Sequence, residues 1–173
     1  MESKDRDSQV VEIAGRNWLV SQLYLAGVEV ARPERDHGID LIAFLDRGRF
    51  IACPIQVKAS SQKSFDVQRR FETFPNLLLV YVWNLADAPV AYCLRYAQAE
   101  KVAKQMGWTA THSWQTGANS GRPGYGTREP SPKLIEFLEP YRVTALAQWK
   151  EAVVAAARLP NALTALAEDR SAR

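Results

Sequence analysis

Cysteine is scarce in this chain, and its two copies, Cys53 and Cys93, stand in no CxxC or Cys/His spacing. That removes both a disulfide framework and a zinc cluster, and leaves buried free thiols of a reducing compartment as the reading. No apolar run is long enough to span a bilayer. The opening MESKDRDSQ lacks the apolar stretch of a secretory signal, so the expectation is a cytoplasmic protein without a membrane partner. A strong charge excess is missing too: 22 Lys and Arg face 19 Asp and Glu, giving a net charge of +3. Such a balance permits an acidic partner such as nucleic acid but excludes a dedicated nucleic-acid coat, which is usually far more basic. There are no internal repeats and no low-complexity segments.

What is present is ordinary globular material, 47% hydrophobic and 24% charged over 173 residues. That length buries a core without help from metals or cross-links. It predicts one domain over 1–173, with a core at about 8–106, an irregular segment at 107–132 and C-terminal helices at 133–168.

Ser8 to Ala26 has helical periodicity, with Asp7 or Ser8 as cap and Gly27 as stop. Its apolar residues spread around much of the circumference, which predicts a largely buried helix. Val28–Ala31, Ile39–Leu45 and Phe50–Lys58 read as strands, the last two joined by the turn Asp46-Arg47-Gly48-Arg49. Pro54 cannot donate to a ladder and predicts a bulge or an edge. Ser64–Thr73 reads as a short helix, Leu77–Trp83 as a strand buried on both faces, Val90–Leu94 as a strand and Ala97–Met106 as a helix. Glycines and prolines in 107–132 exclude long regular elements there. The aromatics of that segment, Trp108, Trp114 and Tyr125, are expected to pack rather than to stack on bases. Helical pattern returns from Lys133 to about Leu166, broken at Pro140 and Pro160, and AEDRSAR is expected to fray.

The chemistry concentrates in His37-Gly38-Ile39-Asp40 and, across the hairpin, Ile55-Gln56-Val57-Lys58. Strand alternation sends Gln56 and Lys58 to one face and Ile55 and Val57 into the core. Asp40 opens the neighbouring strand, so its carboxylate can converge with them. Asp40, the Gln56 amide oxygen and the Val57 backbone carbonyl then supply the oxygen ligands that Mg²⁺, or Mn²⁺ in its place, prefers. Lys58 stands ready to orient or deprotonate a water. A structural role competes at each position: Asp40 as a turn residue, Gln56 and Lys58 as a solvated strand face, and Glu12 as a helix-surface partner of Arg16.

In the order Glu12 on a helix, Asp40 at a strand start and Gln56-Val57-Lys58 on the next strand, the chain resembles the PD-(D/E)XK nuclease superfamily. The pattern is nearest to its Mrr-like and Holliday-junction-resolvase-like branch, where glutamine stands in the (E/Q)xK motif. The resemblance covers residues from about 8 to 95; His37-Gly38-Ile39 replaces the proline pair of the family name. It implies an α/β restriction-endonuclease-like αβββαβ core, with a mixed central sheet flanked by helices and a C-terminal helical extension. It further implies an endonuclease hydrolysing DNA phosphodiesters with Mg²⁺. Asp40 and Gln56 would ligate metal, Lys58 would handle the water, and Glu12 would orient it or hold a second ion. Arg122 and Arg128 are candidate phosphate contacts, and His37 a candidate contact to phosphate or metal-bound water. A homodimer would suit the cutting of two strands. RNA is an alternative substrate, and a non-catalytic nucleic-acid-binding or protein-interaction module on the same fold is the rival from another class.

Overall fold

The computed structural model describes residues 8–35, 38–46, 48, 50–118 and 121–159. Asp7, His37, Arg47, Arg49, Pro160, the helix end expected near Leu166 and the terminal AEDRSAR lie outside them.

The fold is α/β, with a mixed six-stranded sheet between helices. Helix α1 (Ser8–Leu25) precedes β1 (Glu29–Ala31), β2 (Leu41–Asp46) and β3 (Phe50–Ala59). Strand β4 (Phe65–Gln68) and a 3₁₀ turn (Arg69–Thr73) lead to β5 (Leu78–Trp83), β6 (Val90–Arg95) and α2 (Tyr96–Gln105). A 3₁₀ turn (Trp108–Ala110), α3 (His112–Thr116) and β7 (Gly124–Thr127) come next, then α4 (Pro132–Leu138), a 3₁₀ turn (Glu139–Tyr141), β8 (Arg142–Val143) and α5 (Leu146–Ala157). The sheet runs β1-β2-β3-β5-β6-β8, while β4 and β7 form a separate two-stranded ribbon. Among the described residues only the β3–β5 pair is parallel.

Strand β5 explains the layering. All six of its residues are buried. Leu78, Val80 and Val82 face a core built with α1, α5, β2 and β3, whereas Leu79, Tyr81 and Trp83 face a second core closed by α2, α4, Trp108 and Trp114. Each such large side chain contributes about 1.5–3 kcal/mol on leaving water. Helices therefore cover both faces.

Several expectations need correction. Helix α1 is not largely buried: Gly15, Leu19 and Leu23, four apart, form the one stripe that meets the sheet, and Val10, Ile13, Tyr24 and Leu25 are exposed. A helix lying on one face of a sheet buries only one stripe, however apolar the rest. Ser64–Thr73 is not an α-helix. Phe65 and Val67 are buried and alternate with half-buried Asp66 and Gln68, a period of two that pairs with β7. The helical stretch from Lys133 breaks after Leu138, as expected at Pro140; the strand β8 that follows, an edge strand against β6, was not expected. Pro140 accounts for the break, because its ring cannot continue the helix.

Pro54 sits inside β3, a central strand, without losing a bond. The Asp40 N–H donates to the Ile55 carbonyl, so the polar groups of Ile55 face β2 and those of Pro54 face the other side. There the ladder to β5 begins only at Ile55–Leu78. Pro54 therefore occupies a local edge.

The cysteines are free, Cys53 buried and Cys93 half-buried. Burial pushes the Cys53 thiol up to about 12; burial, and then the neighbouring Cys53, push Cys93 up to about 12. Neither thiol should react with iodoacetamide at mildly alkaline pH in the folded protein, and both should react in denaturant; intact mass reads the difference. Double labelling of the native protein would contradict this packing. Because the folded chain holds these protons more tightly, their stabilising effect is complete below 9.0 and is lost as pH rises towards about 12.

Candidate functional site

The site lies where β2 ends short of β3. Leu41 pairs with Ile55, so beyond this point β3 has no strand partner on the β2 side. Asp40 takes over that role with its side chain: Oδ2 accepts from the Val57 N–H at 2.6 Å and from Gln56 Nε2 at 2.6 Å. Asp40 is 7% exposed, the one buried charged residue among those described.

The Gln56 amide lies against two of the expected ligands at once, since Nε2 also reaches the Val57 carbonyl at 3.3 Å. Its Oε1 is buried and accepts no hydrogen bond among the described residues. A buried amide oxygen without a donor forfeits roughly 1–3 kcal/mol. It is therefore an acceptor in want of a partner, and a cation can provide one. The Asp40 carboxylate, the Gln56 amide and the Val57 carbonyl are the ligand types a hard cation takes, but Gln56 turns its donor end, Nε2, towards the other two, so its oxygen shares an ion with them only once the amide rotates to exchange its ends. Among the described residues no group of three or more His, Cys, Asp or Glu could hold a metal, so any ion here relies on neutral oxygens.

Lys58 points from the same face of β3. Its side chain is 18% exposed and donates from Nζ to Asp66 Oδ2 at 2.7 Å. Asp66 was not expected at the site. It sits on β4, where Tyr81 Oη donates to its backbone carbonyl at 2.6 Å and Gln68 Nε2 reaches Oδ2 at 3.3 Å. Burial, and then the Asp66 charge, hold the Tyr81 phenol well above its usual range, so it stays a donor. The signal that could have found Asp66 is the alternation of Phe65 and Val67.

One cleft of about 780 Å³ gathers Glu12, Asp40, Gln56, Val57, Lys58, Asp66, Arg70 and Arg122. Glu12 is exposed at its rim and forms no ion pair with Arg16 among the described residues. Gly15 lets α1 approach this closely, because a Cβ there would collide with that of Ala59. Arg128 does not reach the cleft; it lines an adjoining cavity with Lys63, Ser60 and Ser61. His37 lies outside the described residues, next to Gly38, which does line the cleft. Trp108 and Trp114 are buried, as expected for packing, but Tyr125 is not.

Comparison with protein-family profiles, with curated proteins and with solved structures returns no match to this chain. Among the described residues no helix is long and apolar enough to cross a membrane.

Proposed function

We propose that this chain is a metal-dependent endonuclease of the PD-(D/E)XK type, acting on DNA phosphodiesters. The observation that carries the reading is the buried Asp40 carboxylate bonded to a Gln56 amide whose oxygen lacks a donor, in a cleft shared with Lys58. A buried carboxylate is costly to keep, and such groups concentrate where chemistry needs them.

In this reading Asp40, Gln56 and the Val57 carbonyl hold Mg²⁺ or Mn²⁺. When bound, the ion supplies charge stabilisation at the phosphate and acidifies its water. Asp66 fixes the Lys58 ammonium on the cleft side, where it orients the attacking water. Glu12, at the rim, positions that water from the other wall. Arg70 and Arg122 face the same space and neutralise the phosphate backbone. A two-fold dimer would present two such clefts to the two strands.

The test is cleavage of plasmid and linear DNA with Mg²⁺, with Mn²⁺ and with excess EDTA. Cleavage with either metal and none with chelator is expected; robust cleavage in EDTA would sink the mechanism. RNA in the same assay decides the substrate.

A binding module without chemistry is the second reading. It is favoured by the structural work already done by Asp40, which replaces a missing ladder bond, and by Lys58, which ties down β4. It predicts nucleic-acid binding indifferent to Mg²⁺ and no cleavage at all.

Arg122 and Arg128 offer a test common to both readings. Changing both to Ala is expected to lower the salt dependence of DNA binding by up to about two units of slope. Arg122 should account for more of it, since it lines the cleft itself. An unchanged slope would assign the 107–132 segment to folding alone.

A further inference from the structure

Among the described residues the cleft is balanced in charge. Its acids Glu12, Asp40 and Asp66 match its cations Lys58, Arg70 and Arg122 in number, so by itself it offers a polyanion little net attraction. Beside it, sharing the lining residues Ala59 and Ser64, lies a cavity of about 480 Å³ with a different balance. The charged residues that line it are Lys63 and Arg128, both cations, and neither forms an ion pair among the described residues. The ribbon brings them together. Phe65 stands opposite Thr127, so one step further Arg128 comes level with Ser64, next to Lys63.

The turn between β3 and β4 is fixed from within. The Ser60 N–H donates to the Val82 carbonyl, Trp83 Nε1 donates to the Ser64 carbonyl, and Ser64 Oγ donates to Ser60 Oγ at 3.2 Å. Ser60 Oγ in turn donates to the Gln62 carbonyl. These groups hold the turn, which leaves the exposed Lys63 ammonium and the exposed Arg128 guanidinium to meet a ligand. A phosphodiester, with its charge spread over two oxygens, accepts from a lysine and an arginine together. We propose that this cavity binds a backbone phosphate of the same nucleic-acid strand that crosses the cleft. Chemistry and attraction are then separated: the balanced cleft takes the bond to be cut, and Lys63 and Arg128 hold the strand beside it. The inference rests on the nuclease reading above and adds where that substrate's backbone is held, over the 60–64 turn.

The test is the double variant Lys63→Ala/Arg128→Ala. DNA binding in EDTA, followed by fluorescence anisotropy across a salt series, should lose about one to two units of slope of log K against log salt, about 0.9 for each phosphate no longer neutralised. Cleavage with Mg²⁺ in about 0.1 M salt should show KM raised roughly tenfold per lost contact. Its kcat should stay within about twofold of the parent's, which separates strand holding from chemistry and shows that the variant is folded. Lys63→Arg/Arg128→Lys, which keeps both charges, should retain the parental slope. An unchanged slope in the alanine variant, or an equal loss in the charge-conserving one, would overturn the subsite, while cleavage by the parent would leave the nuclease reading standing. A fall in kcat at unchanged KM would overturn it as well, by placing these residues in the chemistry. A parent that neither binds nor cleaves DNA would remove both.

Discussion

Replacing Lys58 by Ala is expected to lower DNA cleavage by roughly 10²–10⁴-fold, the contribution typical of a positioned proton-handling group. Binding should hardly change. Lys58 is one of several cations around the cleft, alongside Arg70 and Arg122, so its loss removes little of the attraction for phosphate. The fold should survive as well. The pair it forms with Asp66 is partly solvated, with 18% and 38% side-chain exposure, and such pairs contribute about 0–1 kcal/mol. Asp66 keeps its anchor through Tyr81, which bonds the backbone rather than the carboxylate. Cleavage at the parent rate would make Lys58 a strut for β4. Loss of binding together with cleavage, at unchanged Tm, would make it a substrate clamp.

The convergence of Asp40, Gln56, Val57 and Lys58 was legible because it rests on local rules. Strand alternation fixes which side chains share a face, and a hairpin fixes which residues stand opposite. Burial of β5 on both sides followed from its unbroken apolar run. For Asp66 the alternation of Phe65 and Val67 could report a strand, but its place beside Lys58 was not legible, for the opposite reason. Its strand pairs with Gly124–Thr127, far along the chain, and nothing near Ser64 reports a partner hidden in a glycine-rich segment. Arg69 and Glu72, three apart, form an ion pair on the 3₁₀ turn, and that local spacing is what imitates an α-helix. The exposure of α1 was likewise set by the sheet it lies on, since its own pattern does not say how many neighbours will cover it. Tyr125 differs from Trp108 and Trp114 only in its place on the ribbon, which composition does not record.

Gln56→Glu is expected to make the stability of the protein depend on divalent cations. In the parent, Gln56 Nε2 donates to Asp40 Oδ2 at 2.6 Å. Glutamate has the same shape but no donor, so two carboxylates would stand at hydrogen-bond distance around a largely buried position. Without a cation they cannot both ionise at low cost, and Tm in EDTA should fall below that of the parent. With Mg²⁺ the added anionic ligand should tighten binding. The ion then restores stability by an amount that grows with its concentration, about 2.7 kcal/mol at a hundred times Kd. The variant should therefore show a larger Mg²⁺-induced rise in Tm than the parent, and lower Kd by calorimetry. The control is Asp40→Asn rather than Asp40→Ala, because the Val57 N–H needs an acceptor at that place. In the Asp40→Asn background the gain from Gln56→Glu should vanish, since the cation has lost the carboxylate it would share. Equal Mg²⁺ affinity in parent and Gln56→Glu, with Asp40 intact, would show that Gln56 is no ligand. Its buried oxygen would then be a cost of holding Asp40 in place, and the case for a metal site would fall with it.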